Sequence, residues 1–250
     1  MDKPLALKLA PKSLTEVIGQ KHLIGENKIL SNLVKNKKLF SMILYGKPGI
    51  GKTSIANAII NDLGVRYRFL NATINSKKDL DIVIEEAKMY DGIVLIMDEI
   101  HRLNKDKQDV LLPSLENGLI TLIGMTTSNP YHSINPAIRS RCQLFELKEL
   151  EIPDLIEGLK RAVNSNELPN IKIDDKTINY IATLADNDLR YAYNLLEIAY
   201  YSTNDFKVTL DVIKRINNKP VFFADKDGDA YYDMLSAFQK SIRGSDVDAS

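Results

Sequence analysis

Gly46-Lys47-Pro48-Gly49-Ile50-Gly51-Lys52-Thr53 is the stretch on which the reading of this chain turns. It fits the pattern G-x-x-x-x-G-K-[ST], in which glycines let backbone N–H groups close around phosphate oxygens and the lysine reaches the outer phosphates. The Thr53 hydroxyl is then suited to Mg2+. The flanks agree with the motif. Ser41-Met42-Ile43-Leu44-Tyr45 has the apolar character of a short buried strand entering the loop, and Thr53 to Leu63 carries Ile55, Ala58, Ile59 and Leu63 at helical spacing leaving it.

Composition narrows the class without naming a partner. A chain of 250 residues with 44% hydrophobic and 26% charged residues has the make-up of a soluble globular protein and can bury a sizeable core. Lys plus Arg and Asp plus Glu both number 33, so any nucleic-acid face must be local rather than a property of the whole charge. The opening Met1-Asp2-Lys3-Pro4-Leu5-Ala6 lacks the apolar core of a secretory signal, and no apolar run reaches membrane-spanning length, so the expected location is cytoplasmic, with no membrane partner. One cysteine, Cys142, cannot form an intramolecular disulfide, and His22, His101 and His132 lack metal-ligand spacing, so no structural metal is expected.

Before the loop, Pro11 forbids a continuous helix, and Val17-Ile18-Gly19 mixes apolar residues with glycine. That segment suits either an apolar wrap for an adenine ring or a strap closing one edge of the core. A helix is predicted over Asn27 to Lys37, and Lys35, Lys37 and Lys38 suit its C-terminal end. After the loop helix, a strand is predicted over Tyr67 to Asn71 and a helix over Lys77 to Tyr90. Ile93-Val94-Leu95-Ile96-Met97 is an unbroken apolar run, the mark of a parallel strand buried on both faces, and it ends in Asp98-Glu99. Acids at the carboxyl end of such a strand lie where α/β sheets bind ligands, so Asp98 can support Mg2+ and Glu99 can polarise an attacking water.

A helix over Lys105 to Leu115 and a strand over Leu119 to Met125 follow, and the strand runs into Thr126-Thr127-Ser128-Asn129-Pro130. A hydroxyl or amide there would face the same crevice; Thr127 and Asn129 both qualify, and spacing does not separate them. A short helix from Asn135 carries Arg139 and Arg141 and leads into a last strand, Gln143 to Leu147. Five strands alternating with helices give a doubly wound parallel α/β sheet over 1–150. From Pro153 the strands are expected to stop. Asp154 to Val163, Asp174 to Ala185, Asp188 to Tyr201 and Leu210 to Ile216 read as the helices of a small all-α domain over 151–217. Arg190 lies in the first turn of its helix, where the dipole disfavours a cation, which suggests a role elsewhere. Asp225-Lys226-Asp227-Gly228-Asp229 is not a calcium loop, since its glycine comes too early and no glutamate closes it. A helix is predicted from Met234 to Ile242, and Gly244-Ser245-Asp246 caps another that the chain barely enters.

The phosphate loop, Asp98-Glu99, the Thr-Thr-Ser-Asn strand end and the trailing helices together resemble an AAA+ ATPase. Four stretches resemble the RarA/MgsA family, akin to the eukaryotic Werner-helicase-interacting ATPase: Ile18 to Gly25, Asp98 to Lys105, Thr126 to Pro130, and Asp225 through Asp246. The resemblance implies ATP and Mg2+ as cofactors and action at stalled replication forks, where ATP hydrolysis is coupled to remodelling DNA ends or single-strand/double-strand junctions alongside single-strand-binding protein and replisome components. It also implies a nucleoid-associated protein that assembles as a tetramer through a C-terminal domain, of which 218–250 would be the linker and the beginning.

Carried onto this chain, the family pattern assigns phosphate binding to Gly49, Gly51, Lys52 and Thr53; Pro48, Ile50 and Ser54 complete the candidate nucleotide-binding loop, and Val17 and Ile18 are the candidates beside the base if their segment wraps the adenine ring. It assigns Mg2+ to Thr53 and Asp98, and water activation to Glu99. Arg141 resembles an arginine finger that completes a neighbouring subunit's site, with Arg139 as the residue most easily confused with it. Arg190 resembles the second sensor on the lid, although Asn187-Asp188 stands where Gly-Asp is common. Clamp-loader subunits and Holliday-junction branch-migration motors share this ATPase core, and a nucleotide-gated scaffold that recruits replication proteins is the reading from a different class.

Overall fold

The computed structural model describes residues 2–217. The central sheet is β1 (Met42–Tyr45), β2 (Tyr67–Asn71), β3 (Ile93–Asp98), β4 (Ile120–Thr126) and β5 (Gln143–Glu146). Their order is β2-β3-β4-β1-β5, and every pairing is parallel. Parallel strands need crossovers, supplied by α3 (Lys52–Leu63), α4 (Lys77–Met89) and α5 (Lys105–Glu116), with the short α6 (Pro130–Ser133) and α7 (Pro136–Arg139) before β5; α2 (Ile29–Lys35) precedes β1.

Strand periodicity sorts the core into two layers. On one face, Leu44, Val94, Ile96, Ile123 and Met125 pack with Leu30 of α2 and Ile55 and Ile59 of α3. On the other, Ile43, Leu95, Met97 and Leu122 pack with Leu80 and Val83 of α4, Leu111 of α5 and Ile138 of α7. Alternate residues of β3 therefore go to opposite layers and both are buried, which is why its sequence is uniformly apolar. The sheet is thus a doubly wound parallel α/β arrangement.

A third apolar cluster belongs to α8 (Ile152–Val163), α9 (Asp175–Ala185), α10 (Leu189–Tyr201) and α11 (Leu210–Ile216), and it also takes in Leu150 and Leu5 of the N-terminal helix α1 (Leu5–Lys8). Side chains set the starts of two of these helices: Asp174 accepts the Thr177 N–H at 2.7 Å and Asp188 that of Tyr191 at 3.1 Å. The first helix begins at Ile152 rather than at Asp154, because Pro153 fits a first turn and Asp154 reaches back to the Glu151 N–H at 3.0 Å. The expectation that strands end at Pro153 also needs correction: β6 (Lys172–Ile173) and β7 (Lys207–Val208) form a parallel pair. Two-residue strands show no periodicity, so nothing in their sequence announces them. The stretches Asp225 to Asp246 and Met234 to Ile242 lie outside the described residues.

Candidate functional site

The loop between β1 and α3 opens into a cavity of about 580 Å3, a volume within the usual range for small-molecule sites. Gly51 ends the loop at φ +101° and α3 begins at Lys52 with no side-chain cap, so the first N–H groups of a twelve-residue helix point toward the cavity. Lys52 Nζ donates to the carbonyls of Gly46 (2.7 Å) and Lys47 (2.6 Å), folding the ammonium back over its own loop. Burial pulls the Lys52 ammonium below the ordinary lysine range, and Arg190 adds to this while Glu99 and Asp98 oppose it. Four charged groups expected from separate parts of the sequence therefore share one electrostatic site.

The two acids are held differently. Asp98, the last residue of β3, accepts the Asn71 amide at 3.2 Å on one oxygen and the Glu99 N–H at 3.0 Å on the other. Asn71 ends the neighbouring strand β2 in register with Asp98, so strand pairing orients the carboxylate expected to face Mg2+. Glu99 lies in the left-handed region at φ +51°, ψ +40°, an uncommon conformation for a residue with a Cβ. A 3-10 turn, Ile100–Arg102, follows, closed by Arg102 N–H donating to Glu99 O at 2.8 Å.

Most of the expected site residues line this one cavity: Val17 and Ile18, Pro48 to Ser54 of the loop, Asp98 and Glu99, Thr127, and Arg190. Thr127 and Asn129 are now distinguished. Thr127 lines the cavity, whereas the Asn129 side chain accepts the Tyr131 N–H at 3.0 Å and caps α6, so Asn129 is not brought to the site. Arg141 does not line it either. Its guanidinium pairs with Glu116 and donates to Ala137 O at 2.5 Å, leaving the side chain about one-third exposed. Arg139 instead donates to Tyr131 O at 2.6 Å and lies over the Tyr131 ring.

Several cavity residues were not foreseen. Leu189, Tyr193 and Asn194 share a face of α10 with Arg190, a helical spacing that could have been followed outward from Arg190. Arg161 comes from α8 and donates to Glu16 O at 2.7 Å and to the Glu16 carboxylate at 3.1 Å, bridging positions 145 residues apart that no local pattern connects. Buried Gln20 likewise ties residues distant in sequence, donating to Lys148 O at 2.7 Å and accepting from Lys148 N–H at 3.0 Å. Glu149 joins the loop to the turn before α10, with one oxygen 2.7 Å from Lys47 Nζ and the other accepting the Asn187 amide at 2.8 Å. Asn187, which departs from the common Gly-Asp, and Lys47 of the loop thus meet on one carboxylate. Asp188, next in sequence, packs against the loop, where a Cβ at Gly49 would lie 2.3 Å from its carboxyl carbon.

Among the described residues, no group of three or more His, Cys, Asp or Glu side chains is arranged for a metal, and no helix is long and apolar enough to cross a membrane. A cation at Thr53 and Asp98 would therefore rest on few protein ligands together with bound phosphates, the usual arrangement for Mg2+.

The geometry can be set beside known proteins. Residues 9–136 match the family model described as the Holliday junction DNA helicase RuvB P-loop domain, and residues 166–243 match one described as an AAA C-terminal domain. The chain is 52% identical to Replication-associated recombination protein A of Bacillus subtilis (strain 168) across 99% of its own length, and 34% identical to the protein of that name in Escherichia coli (strain K12). It is also 34% identical to ATPase WRNIP1 of Dictyostelium discoideum. It spans 61%, 58% and 31% of the lengths of these three relatives, respectively. Among solved structures it resembles the Thermotoga maritima RuvB Holliday junction branch migration motor, with a TM-score of 0.71 and 27% identity over 83% of this chain and 71% of that one.

Proposed function

This chain belongs to the AAA+ ATPase family that carries the RuvB-type P-loop domain and includes replication-associated recombination protein A, and from that premise we propose that it hydrolyses ATP to remodel DNA at stalled replication forks. One observation carries the reading: Lys52, Asp98, Glu99 and Arg190 converge on one cavity floored by a helix N-terminus. The loop N–H groups and Lys52 would take the phosphates, Thr53 and Asp98 the Mg2+, and Val17 with Ile18 the base. Bound Mg2+ would neutralise charge on the transferred phosphoryl group. Glu99 would orient the attacking water, Thr127 would contact the γ-phosphate, and Arg190 would approach it from α10.

The remaining roles follow from the same premise. Residues 1–150 would be the ATPase domain and 151–217 the lid, whose helices α8 to α11 share one apolar cluster that also takes in Leu5 and Leu150. Residues 218–250 would begin a C-terminal domain that builds a tetramer. Arg141 would act in trans, a role supported by its partial exposure and by its not lining the cavity of its own chain. Forked DNA, single-strand-binding protein and replisome components would be the partners, in the nucleoid-associated cytoplasm.

Phosphate release by the full-length protein, measured with and without forked DNA, tests the reading. Glu99→Gln should lower turnover about 100-fold or more while nucleotide still binds, as loss of a positioned base does. Unchanged turnover in that variant would remove Glu99 from the chemistry. ATP binding without DNA-stimulated turnover in the wild type would favour the scaffold reading.

A further inference from the structure

We propose that His101 is a positioning residue for Glu99, tethering its carboxylate to the end of β4. This rests on the reading of Glu99 as the residue that activates water. The observations are independent of that assignment. His101 Nδ1 lies 3.3 Å from Glu99 Oε2 and 2.9 Å from Thr126 Oγ1. Thr126 is 1% exposed, ends the central strand β4, and immediately precedes Thr127. Its hydroxyl oxygen also accepts the Ser128 N–H at 3.0 Å and lies 3.4 Å from Ser128 O.

The contacts around Nδ1 are complementary when that nitrogen carries the proton. If Nδ1 were a bare lone pair, it would face the Glu99 carboxylate, lone pair against negative charge. If Nδ1 carries hydrogen, it donates toward both Glu99 and Thr126, and the Thr126 hydroxyl hydrogen turns to Ser128 O. His101 Nδ1, Glu99 Oε2, the Thr126 hydroxyl and the Ser128 backbone groups each then have a complementary partner. The 3-10 turn brings the ring there: the left-handed conformation of Glu99 reverses the chain after β3 and returns a side chain two residues later toward the carboxylate. Such backbone conformations persist only where surrounding contacts hold them, and this tether is one such contact. The ring is 13% exposed and the Glu99 side chain 32%, so the tether runs from the more buried group to the more exposed one. One carboxylate oxygen is held, and the other remains for a water.

The test separates the tether from general packing. Asn places its amide nitrogen where His carries Nδ1, whereas Gln reaches the position of Nε2. In the full-length protein, His101→Ala should lower single-turnover hydrolysis about 10- to 100-fold, the scale of a misaligned reactive group, with ATP affinity within about twofold of wild type. His101→Asn should recover most of that loss, and His101→Gln should resemble His101→Ala. The double variant Glu99→Gln/His101→Ala should be no slower than Glu99→Gln alone, because a tether without its carboxylate has nothing to align; a purely structural role would slow it further. Glu99→Gln inactive with His101→Ala at the wild-type rate would overturn the tether alone. Faster hydrolysis by His101→Ala would also overturn it, since the contact would then restrain the base from its water. Glu99→Gln at the wild-type rate would remove the reading on which the tether rests and the tether with it.

Discussion

Substituting Gly49 by Ala should destabilise the fold by about 2–3 kcal/mol, more than the same change at Gly51, and the excess should depend on Asp188. Both glycines have positive φ, +77° at Gly49 and +101° at Gly51, so a Cβ at either costs about 1–2 kcal/mol of backbone strain. Around Gly51 nothing lies within 4 Å of an added Cβ, and strain is the whole cost. At Gly49 the Cβ meets the Asp188 carboxylate, with its oxygens at 2.4 and 2.6 Å. The cheapest relief is rotation of the Asp188 side chain, which surrenders its bond to the Tyr191 N–H. Loss of such an N-cap costs about 1 kcal/mol, and that figure bounds the excess. In an Asp188→Ala background the cap is already gone and the clash absent, so Gly49→Ala should cost only its strain. The double variant should therefore be about 1 kcal/mol more stable than the sum of the single changes implies. Thermal unfolding reads this directly, since about 1 kcal/mol moves Tm by roughly 2–4 °C at this size. Equal Tm losses for Gly49→Ala and Gly51→Ala, or strict additivity with Asp188→Ala, would refute the contact between the phosphate loop and the start of α10.

Three further outcomes follow from the geometry. Glu16 accepts the Lys12 N–H and pairs with Arg161, and these contacts hold its carboxyl below its ordinary value of 4.5; a depressed folded value contributes stability above that pH and loses it as pH falls through the folded value, so Glu16→Gln should flatten the fall in Tm below about pH 4.5 and leave its slope near pH 7 unchanged. Partial burial pushes the Cys142 thiol up to about 12, so at pH 8 iodoacetamide should label it far more slowly than an unfolded-chain thiol, and labelling at the rate of a free thiol would contradict that shift. Mixing Arg141→Ala with Lys52→Ala subunits of the full-length protein should restore part of the lost turnover, because some interfaces join the intact half of each; no recovery with assembly verified would count against Arg141 acting in trans.

How much of the site was legible depended on how local its causes are. The phosphate loop, the Asp98-Glu99 strand end and Arg190 each carry a signal within a few residues: fixed glycine spacing, an apolar run ended by acids, a cation at a helix start it does not suit. All of them line the cavity. Thr127 and Asn129 were equivalent by spacing because both are polar residues after the same strand. Only the start of α6 distinguishes them, since the helix that begins at Pro130 claims Asn129 as its cap and leaves Thr127 to the cavity. His101 was a histidine without ligand partners until a left-handed residue turned it back onto Glu99. The β6 and β7 pair was invisible because strands of two residues exist through their partner, not through their own pattern.

By itself the sequence determined the phosphate loop, the buried strands, their alternation with helices and the acids at the end of β3, because each is written in periodicity or in spacing that a short window contains. Tertiary structure decided which distant groups meet. Gln20 reaches residue 148, Arg161 reaches Glu16, Glu149 joins Lys47 to Asn187, and Asp188 packs on Gly49. Those meetings depend on the strand order β2-β3-β4-β1-β5 and on where α8 and α10 pack, both set by burial summed over three apolar clusters. Burial is non-directional and additive over the whole chain, so no short window records where it will bring two polar side chains together.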